Sequence, residues 1–323
     1  MAKFRTYTIV LFLLALSLSF ACARSKDSAS EGRSGKLIVV ATLFPLYDFA
    51  RNIAGDRAEV RLLLPPGQEP HSFEPRPADI VMLNRADIFI YTNRFMEPWS
   101  EKLLKGTDSS RLIVVDASQG VNFMKVDNAG DHKQHKNGGV EDEHRAQGSD
   151  PHIWLDFGNA QKMVDTIAAA FITKDPGNKE VYQKNAGAYK ARLEVLDRAY
   201  QKGLVNCQKK IFINGGHYTF GYLASRYGLR YRAAYGFSPD AEPTARNLAD
   251  ISNTLRQEGL KHLFYEELLS PRVADTIAKE TGAALLKLHG AHNIAKEEFD
   301  NKRTFIDLME RNLDNLRTGL QCR

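Results

Sequence analysis

NKEVYQKNAGAYKARLEVLDRAYQKGL, residues 178–204, is the stretch on which the fold turns. Its spacing is helical, with Val181, Ala188, Leu193, Leu196 and Ala199 on or near one face. At 1.5 Å per residue such a helix reaches about 40 Å, enough to run along two domains rather than sit inside one. What flanks it must therefore be two bodies, and the sequence supplies them. Upstream, KLIVVAT (36–42), VRLLLPP (60–66), DIFIYT (87–92) and RLIVVDA (111–117) are β-rich runs separated by helical stretches around Tyr47–Ala54, Ala78–Arg85 and Trp99–Leu104. Downstream, KIFINGG (210–216), RYRAAY (230–235), HLFYEEL (262–268) and ALLKLHG (284–290) alternate with helical patterns over Thr219–Arg226, Thr244–Gln257 and Arg272–Thr281. A last helix is expected over Thr304–Leu320.

Strands alternating with helices predict parallel βα units, and nearly continuous apolar strands predict sheets covered on both faces. The expected fold class is thus α/β: two βα lobes with parallel sheets, 36–177 and 205–323, joined by one long rigid helix over 178–204. Between the last strand of the first lobe and the helical pattern Asn159–Thr173, residues 127–148 form a polar loop, DNAGDHKQHKNGGVEDEHRAQG. It gives way to SDPHIWLDF (149–157), where Pro151 and a short apolar run hold His152 between Asp150 and Asp156.

The chain is 323 residues long, 43% hydrophobic and 26% charged, which suits two domains and excludes wholesale disorder or a polytopic membrane protein. Its N-terminus has Lys3 and Arg5, an apolar run from Ile9 to Phe20, then Ala21, Cys22 and Ala23. This is the layout of a secretory signal, too short for the roughly 20 residues that span a bilayer. Two processing routes compete for residues 1–23: cleavage at an A-x-A site, or lipidation of Cys22 as in a bacterial lipoprotein. The polar tether 24–35 favours the second slightly, since it lets an anchored domain stand off a membrane. Both routes place the protein in the periplasm or otherwise outside the cytoplasm. The net charge of +5 falls to +3 without Lys3 and Arg5, and no dense basic cluster with aromatics appears, so nucleic acid is excluded as a partner. Cys207 and Cys322 remain, and in an oxidising compartment either a bridge or two free thiols is open; the bridge, worth up to about 4–5 kcal/mol on the chain-entropy model, is preferred.

Nine histidines matter more than the cysteines. His132, His135 and His144 lie in the polar loop. His71 follows VRLLL in GQEPHSFEP (67–75), His152 follows the first lobe's last strand across the loop, His217 follows KIFINGG, and His289 ends ALLKL. A single histidine beside an apolar run is more often a hydrogen-bonded core residue than a ligand. These four, however, all fall on the C-terminal side of predicted parallel strands, where open α/β sheets place ligands, and together they predict a cleft between the lobes. Neutral imidazole suits a borderline ion such as Zn²⁺, with the outer ring nitrogen oriented by a carboxylate or carbonyl. Asp150 or Asp156 could serve His152 in that way, and Glu69 or Glu74 could serve His71. His292 is the weaker candidate, expected to cap backbone or face solvent. His262 begins a strand, at the opposite edge, and reads as structural.

GQEPHSFEP, SDPHIWLD, NGGHYTFGYLASRYGL (214–229), SPDAEPT (238–244) and IAKETG (277–282) also resemble the successive signatures of the zinc/manganese class of ABC-transporter solute-binding proteins. The resemblance covers essentially the whole mature chain. It implies two lobes bridged by a rigid helix, with metal held between them and delivered to an ABC permease of the inner membrane by a monomeric carrier. Carried over by position, it implies His71, His152 and His217 as the first three ligands and puts His289 where the family commonly has an aspartate. An all-imidazole set favours Zn²⁺ over Mn²⁺ as the bound ion, with Mn²⁺ the alternative. Phe157 stands where the family usually has proline and is expected to affect only the turn. The alternatives are a surface adhesin, which related lipoproteins are sometimes described as, and, remotely, a zinc hydrolase. Against the hydrolase, there is no HExxH helix and a fourth imidazole would close the site.

Overall fold

In the computed structural model, the described residues are 35–124, 149–237, 243–268 and 270–323. The expected signal segment, most of the tether, Cys22 and the loop 127–148 with its three histidines lie outside them. The chain forms two four-stranded parallel sheets with the same strand order. In the first, β1 (Leu37–Ala41) lies between β2 (Ala58–Leu62) and β3 (Ile88–Tyr91), and β4 (Ile113–Asp116) pairs with β3. In the second, β5 (Ile211–Asn214) lies between β6 (Arg230–Ala233) and β7 (His262–Tyr265), and β8 (Ala284–Lys287) pairs with β7. The strands β3 and β5, rich in Ile and Phe, are buried almost throughout, whereas β2 and β6 at the edges carry Glu59, Arg61, Arg230 and Arg232. The two-lobe α/β class expected from the pattern is the one observed.

Helices cover the sheets. In the first lobe these are α1 (Phe44–Ala54), α2 (Pro77–Leu83), α3 (Ser100–Lys105) and α4 (Phe157–Lys174), with a 3₁₀ turn over Ile153–Leu155. Then α5 (Lys179–Leu204) crosses to the second lobe, which adds α6 (Gly221–Arg226), α7 (Ala245–Gln257), α8 (Arg272–Thr281), α9 (Lys296–Asp300) and α10 (Phe305–Gly319). Local chemistry sets the ends. Pro45 starts α1, and Gly55, at φ 57°, ends it. Thr304 and Asp307 close a reciprocal capping box at the start of α10. The short helix α9 has no strong periodicity and was not expected.

The long helix has the expected length and buries Leu193 and Leu196 as expected, but tyrosines rather than alanines complete its inward face. Tyr182, Ala186, Tyr189, Leu193, Leu196, Tyr200 and Leu204 are buried, while Ala188 and Ala199 are exposed. Tyrosine decides this: three rings fill the core while each hydroxyl finds an acceptor, Tyr182 on Asp175 (2.7 Å), Tyr189 on Asp48 (2.7 Å) and Tyr200 on the Met309 carbonyl (2.6 Å). Alanine spacing alone pointed to the wrong stripe. Asp48 also accepts from the Phe305 amide (3.1 Å), so one buried carboxylate joins α1, α5 and the start of α10. The apolar core is accordingly continuous from β1 through α4 and α5 to α10, with a separate cluster (Ile211, Ile251, Leu255, Leu263, Ile277) under α7 and α8. Phe157 does more than shape a turn. It is fully buried and packs edge-on to Tyr200, 5.0 Å between centroids. Cys207 and Cys322 form a disulfide that ties the segment after α5 to the one after α10.

Candidate metal centre

Each sheet sends its chemistry to the C-terminal ends of its strands. The loop after β2 presents His71, and the segment before α4 presents His152. The loop after β5 presents His217, and the segment after β8 presents His292. These four imidazoles converge, with ring centroids 4.9–5.9 Å apart and one potential ligand nitrogen from each within 4.8 Å of all the others. His152, His217 and His292 are buried, and His71 is partly open to solvent.

The backbone around each ring is fixed by long-range polar contacts. The Trp99 indole donates to the Pro70 carbonyl (3.0 Å), and Glu69 accepts from the His71 amide (2.9 Å). Asn93 donates to the Pro151 carbonyl (3.2 Å) and is itself held by Glu97, fully buried, which accepts from the Asn93 amide (3.1 Å). The His217 carbonyl accepts from the Asn214 amide group (3.0 Å) and the Tyr231 hydroxyl (3.1 Å).

Carboxylates stand behind the rings. Asp150 Oδ1 lies 2.7 Å from His152 Nδ1 and also accepts from the His152 amide (3.0 Å). Glu266 Oε2 lies 2.7 Å from His217 Nδ1, off the line a directed hydrogen bond needs. Glu267 Oε1 lies 3.7 Å from His292 Nδ1. Of the alternatives open in the sequence, Asp150 therefore serves His152. Asp156 instead caps α4, accepting from the Gly158 (2.7 Å) and Asn159 (3.0 Å) amides, and pairs with Arg226 (2.9 Å). Glu69 reaches the backbone of His71 rather than its ring.

Burial and the adjacent imidazoles hold His71 and His152 well below the usual histidine range, in the neutral form a metal requires. Burial pushes His217 the same way, but Glu266 overcomes it and raises the ring. Burial lifts Asp150 to about 8.

Nε2 of His71, His152 and His292 are buried without a hydrogen-bond partner, whereas His217 has Glu266 beside Nδ1 (2.7 Å) and the Thr219 hydroxyl beside Nε2 (3.0 Å). One such nitrogen costs about 1–3 kcal/mol, so three in one cluster call for a common acceptor of their lone pairs. A cation fits. Tetrahedral zinc with bonds of about 2.1 Å sets its donors about 3.4 Å apart, so this set closes on an ion by shifts on the order of an ångström.

His289 stands outside the group, and His292 takes the place expected for it. The physical reason lies in its neighbours. His289 Nδ1 is 3.1 Å from Glu267 and Nε2 is 3.4 Å from Glu298, so both ring nitrogens are engaged. Burial opposes protonation, but these carboxylates prevail and raise His289 to about 9; its Nδ1 also accepts from the Ala291 amide (2.9 Å), so the ring is held by its own surroundings away from the cluster. His292, expected to cap backbone or meet solvent, is buried beside Trp154 and His152. The HGAH spacing was the available signal. The turn at Ala291, with φ 59°, directs the second histidine rather than the first into the cluster. His262 begins β7 and is not in the group, as expected.

Comparison with known proteins finds zinc-uptake and zinc-binding relatives. Residues 39–319 match the family model described as zinc-uptake complex component A periplasmic. The chain is 39% identical over 313 residues to the high-affinity zinc uptake system protein ZnuA of Bacillus subtilis, covering 96% of this chain and 97% of that one. It is 35% identical to the zinc-binding lipoprotein AdcA of Streptococcus pneumoniae, where the match takes in 60% of the relative's length. Among solved structures, the Zn(II)-bound ZnuA-like domain of Streptococcus pneumoniae AdcA is 33% identical, with a TM-score of 0.73 over 88% of this chain and 99% of that one.

Proposed function

The chain belongs to the zinc-uptake complex component A periplasmic family, and from that premise we propose that it carries Zn²⁺ as cargo outside the cytoplasm and delivers it to an ABC permease for uptake. The ion is held by His71, His152, His217 and His292. The observation that carries this reading is the convergence of four imidazoles, two from each lobe, three of them with a buried and unpartnered Nε2. Four imidazole donors favour zinc over harder ions such as Mn²⁺.

The site holds its ion without reacting it. The carboxylates that approach the cluster, Asp150, Glu266 and Glu267, sit behind imidazoles as orienting groups, and a shell of four imidazoles leaves no position for an activated water. In this reading residues 36–177 and 205–323 are the lobes and 178–204 the helix between them. Residues 1–23 direct export, and Cys22 is the residue for a lipid anchor. The carrier works as a monomer. An adhesin role has the support of resemblance alone and is not part of the proposal.

Elemental analysis and competition titration of the purified protein test the reading. About one zinc per chain, displaced by Mn²⁺ only at large excess, is expected. Protein that is isolated free of zinc and also ignores added Zn²⁺ overturns it.

A further inference from the structure

The geometry points to Asn293 as the positioning residue that sets His292 against His71. This rests on the zinc-site reading above and extends it to a side chain that touches neither ring. Residues 288–294 leave the C-terminal sheet after β8 and are buried throughout. The segment does not stay with its own lobe. The Phe44 amide donates to the His292 carbonyl (3.3 Å), the Gly67 amide to the Ile294 carbonyl (2.9 Å), and the Trp154 indole to the Gly290 carbonyl (2.8 Å). All three donors belong to the first lobe, so His292 is carried by a strap laid across the cleft.

Asn293 is the side chain that fixes the strap's register. It is fully buried. Nδ2 donates to the Pro65 carbonyl (2.7 Å) and the Gln68 carbonyl (2.9 Å), while Oδ1 accepts from the Ile294 amide (2.8 Å). Those bonds use both donors of the amide and fix which end is nitrogen. Pro65 to Gln68 is the turn of the loop that ends at His71, so one amide joins the backbone beside one imidazole to the backbone that leads to the other. The strap needs such a hold. Ala291, just before His292, has φ 59°, a left-handed conformation that surrounding structure must maintain.

Asn293→Asp is nearly isosteric but replaces both donated protons with a charge facing two carbonyl oxygens. Asn293→Ala removes the donors without adding charge. Zinc affinity is measured by competition titration for each variant, in the wild-type chain and combined with His292→Ala, and the zinc-bound forms are examined by X-ray absorption. Both Asn293 variants should lose about 10- to 100-fold in affinity, the range for residues that orient a ligand. The spectrum should show a weakened imidazole signal, fewer than the four full contributions of the wild type, and neither variant should weaken binding further once His292 is gone. Equal losses in both backgrounds, or a four-imidazole spectrum in both variants, overturn the assignment. So does failure of both to fold, which makes Asn293 a folding residue. A wild-type chain that does not bind zinc overturns the functional reading instead.

Discussion

The two lobes steady the histidines of the cluster by different routes. In the first, the carboxylate that steadies each histidine segment stands two residues before the histidine: Glu69 on the amide of His71 and Asp150 on the amide and ring of His152. In the second, the carboxylates come from another strand, because Glu266 and Glu267 leave the end of β7 and reach His217 after β5 and His292 after β8. One lobe thus encodes the support of its histidines in single peptides, and the other acquires it only when its sheet is assembled.

The largest test of this contrast is to remove one ligand from each lobe. His152→Ala and His217→Ala should each weaken zinc binding by more than about 100-fold in a competition titration, since partners that merely orient a ligand are worth 10- to 100-fold. Near-equal losses would mean that both lobes grip the ion. Binding that survives either change intact would break the picture of a shared centre.

Next come the carboxylates. Asp150→Asn and Glu267→Gln should each cost about 10- to 100-fold in zinc affinity. They should differ in stability. Asp150 holds its own short segment, whereas Glu267 also accepts from the Gly290 (2.8 Å) and Ala291 (3.0 Å) amides and contacts His289, so its replacement should lower the metal-free melting temperature more. Equal thermal shifts would show that the local and the assembled routes do not differ in this way.

The same contrast explains how far the sequence could be read. Strand runs and the long helical period made the two lobes and the connecting helix legible, because hydrophobic period follows directly from which side is buried. His71 and His152 were legible for a local reason: each sits in a Pro- and acid-containing turn after a strand. His217 was legible from its position after KIFINGG. The fourth member was not, because HGAH offers two histidines at the same sheet edge, and the choice depends on the backbone at Ala291 and on Glu267, Glu298 and Asn293, groups brought near only by folding. The tyrosines on the inward face of α5 were not legible for a related reason. A tyrosine counts as core only when its hydroxyl has an acceptor, and Asp48 and the Met309 carbonyl come from distant parts of the chain.

His289 provides the finest test, because it shares a strap with His292 and differs from it only in what surrounds it. Replacing His289 with Ala removes a buried ring lodged between Glu267 and Glu298, leaves the latter's carboxylate without its imidazole, and should cost stability on the order of 1–3 kcal/mol. Zinc affinity should change by a few-fold at most. Glu267 keeps the Gly290 and Ala291 amides, and Asn293 keeps its hold on Pro65 and Gln68, so the strap still delivers His292 to the cluster. His292→Ala should do the reverse, lowering affinity steeply with a smaller effect on the metal-free fold. Urea titration of the metal-free proteins and zinc competition on the same preparations separate the two. If His289→Ala proves as damaging to zinc binding as His292→Ala, the imidazole nearer β8 enters the site when metal binds, and the strap must shift by three residues' worth of chain to bring it there.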